Sequence, residues 1–288
     1  FLFRVNTEGE ILYYRNMECT GELDAKNFCK QGNKYTYYCE LNKDLRNSHN
    51  GYSSGIYVVM DENYKEVEEV TLKANDEANH THGEGYLDQH DFVVIDENHY
   101  LTLSYTPEKV TLPEGVEGID NTQDAYVWAG IIQEVQDGKV IREISTTDYP
   151  ILYESAVEGC DYANSTDKGI EKDDSTVCLA DGYADYVHVN SVDYLLNESG
   201  EVEKLLVSMR DQCAVYQFDM SSGEIDWILG GEASTLTGYE EYQSERTDTK
   251  GETFNALTYG QHDAKYINKD EDTVEISLFD NETGSYPY

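Results

Sequence analysis

Three short apolar segments of the chain are each headed by a histidine. They are Gln89-His90-Asp91-Phe92-Val93-Val94-Ile95, Val187-His188-Val189-Asn190-Ser191-Val192-Asp193-Tyr194-Leu195 and Gln261-His262-Asp263-Ala264-Lys265-Tyr266-Ile267. The chain has 7 histidines in 288 residues, so three at one point of a repeated unit imply a shared place. Asn190 follows His188 by two residues and therefore projects from the same side of an extended strand. Arg210 ends the run Leu205-Leu206-Val207-Ser208-Met209, which returns antiparallel to the His188 segment and comes back to the same end. Imidazoles, a carboxamide and a guanidinium together form a donor set suited to a tetrahedral oxyanion. Three histidines can also bind a metal or anchor neighbouring backbone. The Arg210 guanidinium counts against a divalent ion, and no metal is expected at this cluster. His80 and His82 stand in a Gly-rich polar loop and read as surface residues.

The elements that must position these groups are hairpins. Each His-led strand runs into a turn and returns. A second unit joins strand-like runs through Gly, Asn or Asp turns: Asn6 to Gly9, Asp61-Glu62-Asn63, Asp137-Gly138 and Ser222-Gly223. The two hairpin types alternate, and no stretch has a 3.6-residue apolar period of helical length. In Phe92-Val93-Val94-Ile95 and Leu205-Leu206-Val207 both faces are apolar, as in a sheet covered on both sides. The expectation is an all-β chain, a β-propeller of four-stranded blades forming one domain over 1–288, either a closed ring or an incomplete one. Blades fall at about 34–72, 90–146 and 188–229, with half-blades at 1–16 and 262–279. The stretches 147–186 and 230–255 read as loop excursions. In a propeller the innermost strands start at the central channel, so His90, His188 and His262 would converge there.

Composition removes several classes of partner. With 58 Asp+Glu against 20 Lys+Arg the formal net charge is −38, which disfavours nucleic acid and anionic membranes. Charges interrupt every apolar run before the length of a membrane span, so no membrane insertion is expected. The carboxylate excess reads as a solvated surface, with structural calcium conceivable at Asp61-Glu62 or Asp270-Glu271-Asp272. The chain opens on Phe1 without a leader, as a processed chain or a fragment would. Asn-x-Ser/Thr triplets stand at Asn79, Asn164, Asn197 and Asn281. The 6 cysteines show no zinc spacing, and their even number suits an oxidising compartment. A Cys160–Cys178 disulfide across a polar loop is expected, and with it a secreted, periplasmic or cell-surface protein.

The strings Asp185-Tyr186-Val187-His188-Val189-Asn190-Ser191-Val192-Asp193-Tyr194, Ser222-Gly223-Glu224-Ile225-Asp226-Trp227-Ile228-Leu229-Gly230-Gly231, Gly260-Gln261-His262-Asp263-Ala264 and Phe279-Asp280-Asn281 resemble the bacterial PAPS-independent arylsulfotransferases. His90-Asp91-Phe92 and Ser208-Met209-Arg210 fall where that family has its other active-site motifs, so the resemblance covers roughly residues 80–288. It implies a six-bladed propeller that moves a sulfuryl group from an aryl sulfate donor to a phenolic acceptor in two steps. By that resemblance His262 is the nucleophile that becomes sulfated, and His90, His188, Asn190 and Arg210 hold the sulfuryl oxygens. It implies no nucleotide cofactor, and the sequence has no Gly-rich phosphate loop. The competing expectation is a non-catalytic propeller, an extracellular structural, assembly or binding protein that keeps the anion pocket.

Overall fold

The computed structural model describes residues 1–17, 25–41, 53–75, 82–116, 123–157, 162–165, 183–247, 251, 253–270 and 273–281. The chain is all-β. A hairpin of β1 (Leu2–Val5) and β2 (Ile11–Arg15) is followed by a sheet of β3 (Ala25–Gln31), β4 (Lys34–Glu40), β5 (Gly55–Met60) and β6 (Glu66–Val70). The next sheet holds β7 (Phe92–Asp96), β8 (His99–Leu112), β9 (Gln123–Gln136) and β10 (Lys139–Ser145). After a short helix, α1 (Pro150–Glu154), comes a sheet of β11 (Val189–Leu196), β12 (Val202–Met209), β13 (Ala214–Asp219) and β14 (Ile225–Gly230). Two hairpins complete the described chain, β15 (Ser244–Thr247) with β16 (Thr253–Ala256), and β17 (His262–Lys269) with β18 (Val274–Phe279). Each four-stranded sheet is an antiparallel meander in chain order, built by joining two hairpins. Asp137 and Gly138 both have positive φ, which gives the tight turn between β9 and β10 the twist the strands require.

The sheets stack face to face in chain order. Phe92 and Val94 pack with Tyr57 and Val59 of the preceding sheet, whereas Val93 and Ile95 pack with Val189 and Val207 of the following one. The same alternation recurs at β12, where Leu205 and Val207 face β7–β10 while Leu206 meets Ala264 and Ile276. Burying each such aliphatic side chain stabilises by about 1.5–3 kcal/mol. This is why the runs are apolar on both faces. Among the described residues no helix is long and apolar enough to cross a membrane.

Several local expectations change. The first four-stranded sheet begins at Ala25, ahead of the expected start at 34, because β3 is a polar edge strand without alternation. Within the expected loop 230–255, Ser244–Thr247 pairs with Thr253–Ala256. The inward residue there is Arg246, buried on the Asp280 carboxylate at 2.9 Å, so no apolar pattern announces the strand. His82 is not a surface residue. Its side chain is 10% exposed and its ring sits 3.1 Å from Glu143 Oε2. Cys39 is disulfide-bonded, whereas Cys29 and Cys213 take part in no disulfide. The expected Cys160–Cys178 bridge, His80, Asn79 and Glu271-Asp272 lie outside the described residues. Asp61 and Asp270 each cap their own turn, accepting the N–H groups of Asn63 and Thr273 respectively.

Candidate active site

His90, His188 and His262 stand at the N-terminal ends of β7, β11 and β17, the edge strands that start their sheets. The three rings meet. Their centroids are 5.1 Å apart for His90 and His188, and 6.0 Å for His262 with each of the others. A nitrogen from every ring lies within 4.8 Å of the other two, the scale of a single tetrahedral oxyanion.

Side-chain bonds to backbone, at successive positions, fix this convergence. Asn190 Nδ2 donates to the Gln261 carbonyl at 2.8 Å, Ser191 Oγ accepts from the Ala264 N–H at 2.9 Å, and Asp193 Oδ2 accepts from Tyr266 at 2.8 Å. Together they lash β11 to β17. Asp91 adds the third sheet. Its Oδ2 takes the Val192 N–H at 2.8 Å and the Lys265 ammonium at 2.6 Å, and Lys265 also donates to the Val192 carbonyl at 2.9 Å. Gln261 is fully buried, with Nε2 donating to Ser208 Oγ, the Met209 carbonyl and the Ala214 carbonyl. His188 itself is left-handed at φ 43°, a conformation that costs a non-glycine residue about 1–2 kcal/mol. Asp185 Oδ1 accepts its N–H at 3.1 Å, and the Arg210 N–H holds its carbonyl at 3.0 Å. The strain therefore sits where His188 is tied to the Arg210 backbone.

Arg210 follows β12 in a 3₁₀ turn, and its Nη1 donates to the buried Asp211 carboxylate. The guanidinium is near enough to disfavour protonation of both His188 and His262. Asn190 is buried, one N–H spent on the Gln261 carbonyl and Oδ1 meeting no partner. Its second N–H is the one that can face a ligand oxygen. Thus the structure brings His90, His188, His262, Asn190 and Arg210 into one place.

Electrostatics separates the rings. Burial drives His188 down to about 3, against the Asp211 carboxylate and with help from His90 and Arg210. Burial also drives His262 down to about 4; the Gly260 carbonyl opposes the shift, while His188, His90 and Arg210 reinforce it. For His90 burial acts the same way, but Asp88, then Asp185 and Asp91, outweigh it and raise its proton affinity above the ordinary value. Near neutral pH the unliganded site therefore holds two neutral imidazoles and one that retains a proton more readily. His262 Nδ1 is 2.9 Å from the Gly260 carbonyl, so its proton sits there and Nε2 presents a lone pair.

A cavity of about 530 Å³ opens beside the rings. His90, Asn190 and His262 border it on one side, and Asn27, Cys29 and Gln31, alternate positions of β3, border it on another. Tyr57 and Phe92, stacked at 4.6 Å between centroids, add aromatic surface. Such a space accepts an aryl group with its polar end at the histidines.

Asp88, Asp91, Asp185, Gln261, Lys265 and the wall supplied by β3 had no site role legible in the sequence alone. For some of them the spacing held a hint. Aspartate stands two residues before His90 and three before His188, within reach of a ring Nδ1, and Gln-His-Asp occurs at both 89–91 and 261–263. Nothing in Ala25–Gln31 marked it as a cavity wall. No curated protein matches the chain significantly. The family model described as Arylsulfotransferase (ASST), however, matches residues 41–286, most of the length and all five site residues, and the chain belongs to that family.

Proposed function

We propose that this chain transfers a sulfuryl group from an aryl sulfate ester to a phenolic acceptor through a sulfohistidine at His262. The observation that carries the reading is the state of His262. It is neutral, fixed as one tautomer by Gly260, bordered by the cavity, and faced by His90, His188 and Arg210. Its Nε2 lone pair attacks sulfur, the bond from sulfur to the aryl oxygen breaks, and the phenol departs. A second phenol then attacks the sulfur held on His262, and the S–N bond breaks. Arg210, Asn190, His188 and His90 surround the sulfuryl oxygens, where cationic and N–H donors stabilise the charge of an in-line displacement as in phosphoryl transfer. A bound anion adds its negative charge to that of Asp185 and Asp211 beside His188 and so favours its protonated, donating form.

In this reading the four-stranded sheets are blades of a β-propeller, six-bladed by resemblance to the family, and the site lies at the channel mouth. No nucleotide cofactor takes part, and the protein works in a secreted, periplasmic or cell-surface setting.

The test uses 4-nitrophenyl sulfate with excess phenol and follows nitrophenolate colour. Wild type is expected to release it, and His262→Ala to fall to background. Equal background rates for both proteins would leave a binding or assembly module in place of an enzyme.

A further inference from the structure

The three Nδ1 atoms have different partners. Asp88 Oδ1 accepts both the His90 ring Nδ1–H and the His90 backbone N–H, the latter at 2.9 Å, while Asp88 Oδ2 takes the Ser53 N–H at 3.1 Å. The Asp88 side chain is 2% exposed, so water does not compete for it. His188 Nδ1 faces Asp185 Oδ2 at 3.2 Å. His262 Nδ1 instead meets the neutral Gly260 carbonyl at 2.9 Å. A carboxylate at Nδ1 favours an imidazole that carries a second proton at Nε2; a carbonyl fixes a tautomer without favouring the cation.

Position divides the two carboxylate-held rings. His90 borders the cavity, as does His262, whereas His188 is buried behind them against Asp185 and Asp211. Among the described residues, His90 is therefore the imidazole that both faces the space for the aryl group and has a carboxylate at Nδ1. The charged groups that act on it are Asp88, Asp185 and Asp91, which favour its proton against burial, while the protonated His90 and Arg210 disfavour protonation of His188 and His262 beside it. Lys265 occupies one oxygen of Asp91.

We propose that His90, oriented by Asp88, hands its Nε2 proton to the aryl oxygen as the donor ester breaks and recovers one from the acceptor phenol. The proposal rests on the sulfotransferase reading above. In the first step the His262 Nε2 lone pair forms the N–S bond, and the S–O electron pair goes to the aryl oxygen. That oxygen takes the His90 Nε2 proton, so a neutral phenol leaves and His90 keeps its Nδ1 proton on Asp88. In the second step the acceptor O–H gives its proton to His90 Nε2 and the oxygen bonds to sulfur. The S–N pair returns to His262. Asp88 touches no substrate and is a positioning residue.

Leaving-group dependence tests this. An acid matters most when the departing phenolate is a strong base. Replacing His90 by Gln is expected to slow transfer from phenyl sulfate by about 10²–10³-fold. With 4-nitrophenyl sulfate, whose phenolate departs readily without a proton, the loss is expected to stay below about tenfold. Asp88→Asn should lose activity in the same order and move the alkaline limb of the rate profile to lower pH, since the carboxylate that favours the His90 proton is gone. Equal fold-losses with the two esters in H90Q, or an unmoved alkaline limb in a folded D88N protein, overturn the proposal. If D88N does not fold, H90Q alone decides. A wild-type chain that transfers neither ester and gains no sulfuryl group at His262 overturns the underlying reading, a result distinct from equal losses.

Discussion

His262 and His188 lose proton affinity chiefly to burial, while His90, enclosed as well, gains it from Asp88. The consequence for pH is direct. Protonation removes the His262 lone pair, and because its value in the fold is about 4 rather than about 6.5, the nucleophile survives well into acid. The acid limb of kcat/KM for 4-nitrophenyl sulfate is therefore expected near pH 4, and a limb that stays near 6.5 would contradict the assigned environment. Stability follows the same signs. Groups with depressed values, His188 and His262, contribute stability that is present above about pH 6.5 and is lost as pH falls toward about 3 to 4. His90, with a raised value, contributes stability that is full below about 6.5 and is lost as pH rises through its folded value. Acid therefore threatens the fold before it silences the nucleophile completely.

At the scale of elements, the site depends on how closely β11 approaches β9. A Cβ added to Gly130 would sit 2.7 Å from Val189 Cγ2 and 3.2 Å from Thr146 Cγ2, and the Gly130 N–H is bound to Thr146 Oγ1 at 2.9 Å. Val189 lies between His188 and Asn190, so anything that pushes it moves both. Gly130→Ala is expected to destabilise by about 1–3 kcal/mol through overpacking and to lower activity together with thermal stability. Unchanged melting and activity would show that the approach is looser than described. The sequence carried much of this level. Apolar residues on both faces of β7 and β12 announced covered sheets, and turn residues at Asp137-Gly138 and Ser222-Gly223 announced the hairpins. Strands that face polar surroundings left no such trace. β3 lines a cavity with Asn27, Cys29 and Gln31, and β15 points a buried arginine at a carboxylate, so neither alternates apolar with polar. The motif around His188 was visible, yet Ser191 and Asp193 proved to bind the β17 backbone, a role that only the packing of two sheets defines.

For the whole molecule, a formal charge of −38 surrounds a small donor-rich centre. The long-range field repels an anionic donor ester, and salt shortens its reach to about 10 Å at 0.1 M. Added salt is accordingly expected to raise kcat/KM for aryl sulfates between low and moderate ionic strength, the reverse of an enzyme with a basic surface. A fall over that range would mean that screening of Arg210 and its neighbours outweighs relief of repulsion. The central claim concerns one atom, His262 Nε2, and mass spectrometry addresses it most directly. Incubation with 4-nitrophenyl sulfate in the absence of acceptor is predicted to add one sulfuryl group to the intact chain, to map to His262, and to disappear on addition of phenol. A chain whose mass is unchanged by donor while nitrophenolate is released, or a sulfuryl group that maps elsewhere, contradicts the account.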